Sequence, residues 1–157
     1  MLKTLLATAA MTFIAGAAYA CPNIGFSGPT INASATQLYS AQNYNVTAGG
    51  SSDVSRCGIR TYNGVSPTGW VAQSPDFELN YYKDANYSLE LRVVSNCDSV
   101  LLINDGDGDW FFDDDSNGSS ANDALLHINN PASGTYDIWI GTYGPQTCAA
   151  QLQIETF

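Results

Sequence analysis

Apolar and polar residues alternate with a period of two along most of the chain after residue 20, and a helical period is absent there. In YSLELRVV, Leu89, Leu91 and Val93 share one face while Ser88, Glu90 and Arg92 share the other. In TYDIWIG, Tyr136, Ile138 and Ile140 face together, and Trp139 faces away from them. AAQLQIET sets Ala150, Leu152 and Ile154 against Gln151, Gln153 and Glu155. SVLLIN is continuously apolar up to its last residue, as expected of a central strand covered on both faces. DFELNY and ALLHIN complete the clearest strands, and INASA and QNYNVTA are weaker ones. Turn signals separate these runs: AGGSSD, NGVSPTG, KDAN, DGDGD, SNGSS, NNPASG and YGPQ. Strands at this spacing predict an all-β fold, an antiparallel β-sandwich.

The first twenty residues break the pattern. Lys3 is followed by the apolar run LLATAAMTFIAGAA and then by AYA, small residues at the two positions a signal peptidase reads. Residues 1–20 are therefore expected to be a signal peptide, and no later run is apolar and long enough to span a bilayer as a helix. Cys21 follows the expected cut, so a lipid anchor through Cys21 is the alternative. The AYA before it fits a lipoprotein site poorly, and lipidation would leave three cysteines. Four cysteines in an exported chain predict two disulfides, with Cys21–Cys57 and Cys97–Cys148 favoured by chain order and the strand reading. The expected location is secreted or periplasmic.

Loss of the leader leaves Arg56, Arg60, Lys83 and Arg92, four cations against fifteen acids and a net charge of −11. Such a surface repels nucleic acid and anionic membrane, which excludes polyanion binding as a role. Charged residues are only 13% of the chain and aromatics 11%, so a core can form and disorder is excluded.

The segment 70–157 resembles the bacterial pre-peptidase C-terminal (PPC) domain, a small β-sandwich of jelly-roll type often fused to secreted peptidases. The resemblance is carried by DFELNY, YSLELRV, SVLLIN, DDDSNG, ANDALLHI, ASGTYDIWIGTY and QLQIE, in that order. Its specific part is the acidic DDDS turn followed about twenty residues later by a strand opening with GTY. The chain carries no peptidase domain, Cys97 and Cys148 are not general in that family, and residues 21–69 are additional. These are read as extra strands, stapled by Cys21–Cys57 and packed on the sandwich. The resemblance implies a non-catalytic accessory role in binding, stabilising or targeting, with an unknown protein or glycan outside the cytoplasm as partner. The alternative is a structural or adhesive protein of the cell surface or matrix that assembles through its sandwich edges; a small hydrolase or a protease inhibitor has little support.

Candidate chemistry concentrates in INDGDGDWFFDDDSNG. In an extended chain Asp105, Asp107 and Asp109 point to one side, about 7 Å apart. Each pair repels by about 0.6 kcal/mol in water and about 2.4 kcal/mol at an effective dielectric of 20, a load that a hard cation would relieve. Calcium is thus the candidate cofactor, with Asp105, Asp107, Asp109, Asp113, Asp114 and Asp115 as candidate ligands. An EF-hand is excluded, because Trp110 and Ser116 stand where the loop needs Gly and Glu. By the resemblance, the DDDS element serves instead as a turn whose side chains cap backbone amides, although some relatives bind calcium. Catalysis finds no complete constellation: His127 is the only histidine, no GxSxG elbow exists, and six acids in one stretch give no opposed pair. Out of phase with Leu126 and Ile128, His127 is expected to be exposed. Trp110 and Trp139 are candidate binding aromatics, against the alternative that Trp110, Phe111 and Phe112 close the end of the sandwich. Sequons at Asn32, Asn45, Asn86 and Asn117 are read as unmodified behind a bacterial-looking leader.

Overall fold

The computed structural model describes residues 20–118 and 122–157. Residues 1–19, nearly all of the expected leader, lie outside the described residues. Among those described, eleven strands are β1 (Thr30–Ser34), β2 (Gln42–Ala48), β3 (Ser52–Asp53), β4 (Trp70–Val71), β5 (Phe77–Tyr82), β6 (Leu89–Ser95), β7 (Ser99–Asn104), β8 (Trp110–Asp113), β9 (Leu125–Ile128), β10 (Gly134–Thr142) and β11 (Cys148–Thr156). One helical turn, α1 (Ala35–Leu38), interrupts them. Ser34 caps it reciprocally with Gln37: its hydroxyl accepts from the Gln37 amide, and the Gln37 side chain accepts from the Ser34 amide.

The strands form two sheets. The first runs β1-β5-β10-β7-β8, with β4 joining β10 at Thr142 and β3 pairing with β4. The second runs β2-β11-β6-β9. All pairings are antiparallel except β1 with β5, and from β5 onward the chain passes between the sheets at every step but the β7–β8 hairpin. This is the all-β sandwich that the alternation predicts. Within the segment 21–69, β1 and β2 are strands of the two sheets themselves.

Between the sheets lies the main core. Leu79, Leu89, Leu91, Val93, Leu101, Ile103, Tyr136, Ile138, Ile140, Leu152 and Ile154 are fully buried there, together with Ala35 and Leu38 from the N-terminal part. Every residue of β7 is buried, as the continuous run SVLLIN requires: Leu101 and Ile103 face the main core, while Val100 and Leu102 face outward. That outward face is not solvent. A second cluster covers it, built from Val54, Val71, Val100, Leu102, Phe112 and Trp139, with Ile59 and Trp110 at its margin.

Residues 53–71 therefore cross the outside of the first sheet and close this second core. A short 3-10 turn at Val54–Arg56, capped by Asp53 through the Ser55 amide at 3.2 Å, places Val54 inward. Gly50 lets the chain pass against β4, because a Cβ there would stand 2.1 Å from the Val71 carbonyl carbon. Cys57, directly after the turn, is bonded to Cys21 with Cα atoms 5.7 Å apart. The second disulfide joins Cys97, in the β6–β7 turn, to Cys148 at the start of β11. All four cysteines are paired, which suits an oxidising compartment, and among the described residues no helix is long and apolar enough to cross a membrane.

Candidate functional site

The acidic stretch folds as two turns separated by a strand. Asp105–Asp109 make the β7–β8 hairpin loop, and Asp113–Asp115 begin the turn at the far end of β8. The six aspartates therefore do not share one site, and Trp110, Phe111 and Phe112 lie in the strand between them, packed on the two cores. They are β8 residues, paired with Asn104, Ile103 and Leu102.

Within the hairpin loop, Asp105 is 8% exposed and its Oδ1 accepts the amides of Asp107 (3.0 Å) and Asp109 (2.9 Å). Its own amide donates to the Asp109 carbonyl, and Asn104 Nδ2 donates to the Gly108 carbonyl at 3.0 Å. Gly108 takes a left-handed φ of +85°, a conformation that explains the second Gly-Asp step. Burial raises the Asp105 carboxyl above its ordinary range; the Asp109 and Asp107 amides pull it back, and the neighbouring aspartate charges add to the rise. Asp107 and Asp109 are exposed.

At the other end of β8, Asp113 is spent on the backbone. Its Oδ2 accepts from the Leu125 amide (2.8 Å) and the Ser116 amide (3.0 Å), and its Oδ1 accepts from the Ser116 hydroxyl (2.6 Å). This is turn capping of the Asx kind, linking β8 to β9. Burial, then the charges of Asp115 and Asp113, raise the Asp114 carboxyl.

The six candidate calcium ligands do not form one set. Asp105 and Asp113 already serve backbone amides, and the two groups sit at opposite ends of β8. Among the described residues no three His, Cys, Asp or Glu side chains gather in a way that would hold a metal.

The hairpin loop instead forms one wall of a cleft of about 530 Å³. Asp105, Asp107, Asp109 and Phe111 line that wall; Leu126, His127, Ile128, Asn129 and Asn130, from β9 and the turn after it, line the other. Tyr62 and Asn63 close a third side. They are held there by backbone pairing along the outer edge of β8: the Tyr62 amide donates to the Trp110 carbonyl (2.6 Å), and Asn63 Nδ2 donates to the Phe112 carbonyl (2.8 Å). Tyr62 is 74% exposed and its ring lies 5.5 Å from that of Phe111. His127 is exposed, as its phase predicts, with Nδ1 3.4 Å from Glu90 Oε2. Lys83 Nζ donates to the Asn130 side-chain oxygen at the rim.

The candidate binding tryptophans need correction. Trp139 is fully buried, because the face it points to is covered by residues 53–71, and Trp110 stacks on it at 5.4 Å and 28°. Neither ring presents an open platform; the exposed aromatic at the cleft is Tyr62. Sequence reasoning missed Tyr62, which stands just before the turn signal NGVSPTG, and Asn129 and Asn130, which open NNPASG far along the chain. No protein-family model matches the chain, and no curated protein matches it.

Proposed function

We propose that the protein is an exported, non-catalytic accessory domain that binds a neutral glycan in the cleft beside the 105–109 loop. The observation that carries this reading is the cleft's lining: the exposed ring of Tyr62 against the half-buried ring of Phe111, beside the exposed carboxylates of Asp107 and Asp109 and the carboxamides of Asn129 and Asn130. Aromatic faces stack on the C–H faces of sugar rings, while Asp107 and Asp109 accept hydroxyl protons and Asn129 and Asn130 both donate and accept. The acidic surface disfavours anionic glycans. The resemblance of residues 70–157 to the PPC domain supports an accessory role, and the leader supports export. Calcium is not part of the proposal.

Two outcomes test it. Titration of a panel of neutral oligosaccharides, read by saturation-transfer NMR and calorimetry, is expected to show binding that Tyr62→Ala weakens by about tenfold, the loss of one stacking contact. Absence of binding across the panel, or binding indifferent to Tyr62→Ala, would reject the cleft. Thermal melts in calcium and in chelator are expected to superimpose. A calcium-dependent rise in Tm would restore the ion to the account.

A further inference from the structure

A sheet edge needs an explanation when it is long, regular and uncharged, because its free N–H and C=O groups are a template for another strand. The edges of this sandwich differ sharply in how they are treated. The outer edge of β8 is occupied by Thr61–Asn63. β9 is four residues long, and β3 is two. β1 is five residues, follows Pro29, and its core-facing Ile31 and Ala33 are already buried.

β2 has none of these protections. It is seven residues, QNYNVTA, with no charge, proline or glycine, and it is the terminal strand of the second sheet, bonded to β11 on one side. Its core-facing Tyr44 and Val46 are only half-buried, whereas Leu152 and Ile154 on the adjacent strand are fully buried. The core is thus open along this one edge.

We propose that β2 is a self-association edge whose partner is β2 of a second copy, paired antiparallel about a two-fold axis at Asn45. The strand is self-complementary in that register. Tyr44 of each copy lies opposite Val46 of the other on the core face, and on the solvent face Asn43 lies opposite Thr47 and Asn45 meets itself. An aromatic facing a β-branched residue is a favourable cross-strand pair, and no like charges are brought together. The solvent face continues a carboxamide row already present, in which Gln153 Nε2 donates to Asn43 Oδ1 (2.9 Å) and Gln151 Nε2 to Asn45 Oδ1 (3.3 Å). The product is a closed dimer in which the two four-stranded sheets become one, with the edge consumed. Seven residue pairs bury less than the roughly 1,200 Å² of a stable interface, so the dimer is weak and forms at micromolar to millimolar concentration. Both copies are acidic, so added salt strengthens it.

The test is sedimentation velocity across concentration, on disulfide-bonded protein exported by a bacterial host so that Asn45 carries no glycan. The expected result is a concentration-dependent dimer, tightened by salt, that Asn45→Lys weakens about fivefold by setting two ammonium groups face to face at the axis. Lysine is the informative choice because it lowers the overall repulsion between copies while blocking the seam. Asn32→Lys, on the β1 edge of the first sheet, should leave the dimer intact. Amide exchange along β2 should slow as wild-type concentration rises, which reads the seam without a substitution. A monomer at every concentration overturns the proposal, as does a dimer that Asn45→Lys leaves unweakened or one that Asn32→Lys weakens equally.

Discussion

Replacing Trp139 with alanine is expected to destabilise the protein by about 3–5 kcal/mol, the cost of emptying a large aromatic site in a core. Trp139 is fully buried against Val54, Val71, Val100, Leu102 and Phe112, and it stacks on Trp110. Its loss would leave a void on the outer face of the first sheet that residues 53–71, tied down at Cys57, are poorly free to collapse into. Urea unfolding should show a lower midpoint with an unchanged slope, and near-ultraviolet circular dichroism should lose the coupled indole signal. Trp139→Phe should cost far less: it keeps the apolar ring and removes an indole N–H that is buried without a partner. A change below about 0.5 kcal/mol for Trp139→Ala would mean that the ring lies at the surface and the second core does not exist.

The second large effect comes from a carboxylate that stands in for a missing strand partner. Asp76 precedes β5; its amide donates to the Ile138 carbonyl and its Oδ2 accepts the Ile140 amide at 2.8 Å. It bridges the interval along β10 between β5 and β4. Burial pushes its pKa up to about 7, against the lowering influence of the Ile140 amide. Asp137, on the outward face of β10, is pushed up to about 6 by burial and by the charge of Glu78, its cross-strand neighbour. Both folded-state values exceed the ordinary carboxylate value. Each group therefore contributes stability that is full below about pH 4 and is lost as pH rises toward 6 and 7. The protein should lose stability between pH 4 and pH 7 on account of these two groups.

Asp76→Asn isolates one of them. The carboxamide oxygen still accepts from Ile140, and the buried charge is gone. At pH 8 the variant should be more stable than the wild type by on the order of 2–4 kcal/mol, and the advantage should vanish near pH 4. Asp76→Ala should instead be destabilised by about 1–3 kcal/mol near pH 4, because it leaves the Ile140 amide without an acceptor. Parallel pH–stability profiles for the wild type and Asp76→Asn would show that Asp76 titrates normally.

Much of the fold was legible because alternation is a local signal. Leu89, Leu91 and Val93, Tyr136, Ile138 and Ile140, and Leu152 and Ile154 all face the main core, as period two demands. The apolar run of β7 correctly implied cover on both faces, without saying what supplied the outer cover. The turn α1 went unread, because INASA reads as a strand through Ser34 and Ala35 and four helical residues give no periodicity to detect. β8 was obscured by the aspartates on either side of it, which made Trp110–Phe112 look like part of a turn.

The site was less legible, and Trp139 shows why. The sequence placed it correctly on the face opposite Ile138 and Ile140. Exposure, however, depends on what crosses that face, and the covering segment comes from residues about seventy positions earlier in the chain. The same holds for the cleft. Asp107 and Asp109 were visible as charges, but Tyr62 reaches them only because residues 61–63 pair along β8.

By itself, then, the sequence determined the strand faces, the number of disulfides, the acidic surface and the presence of a tight acidic turn, while it only favoured the cysteine pairing that the structure shows. Each follows from side-chain type at short spacing, or from a simple count. Tertiary structure alone decided which faces are buried twice, which of six aspartates serve backbone amides, and which edge stays open. These depend on backbone groups and surfaces meeting across longer stretches of chain, as where Asp113 accepts the Leu125 amide twelve residues on, whereas the capping by Asp105 closes within its own five-residue loop.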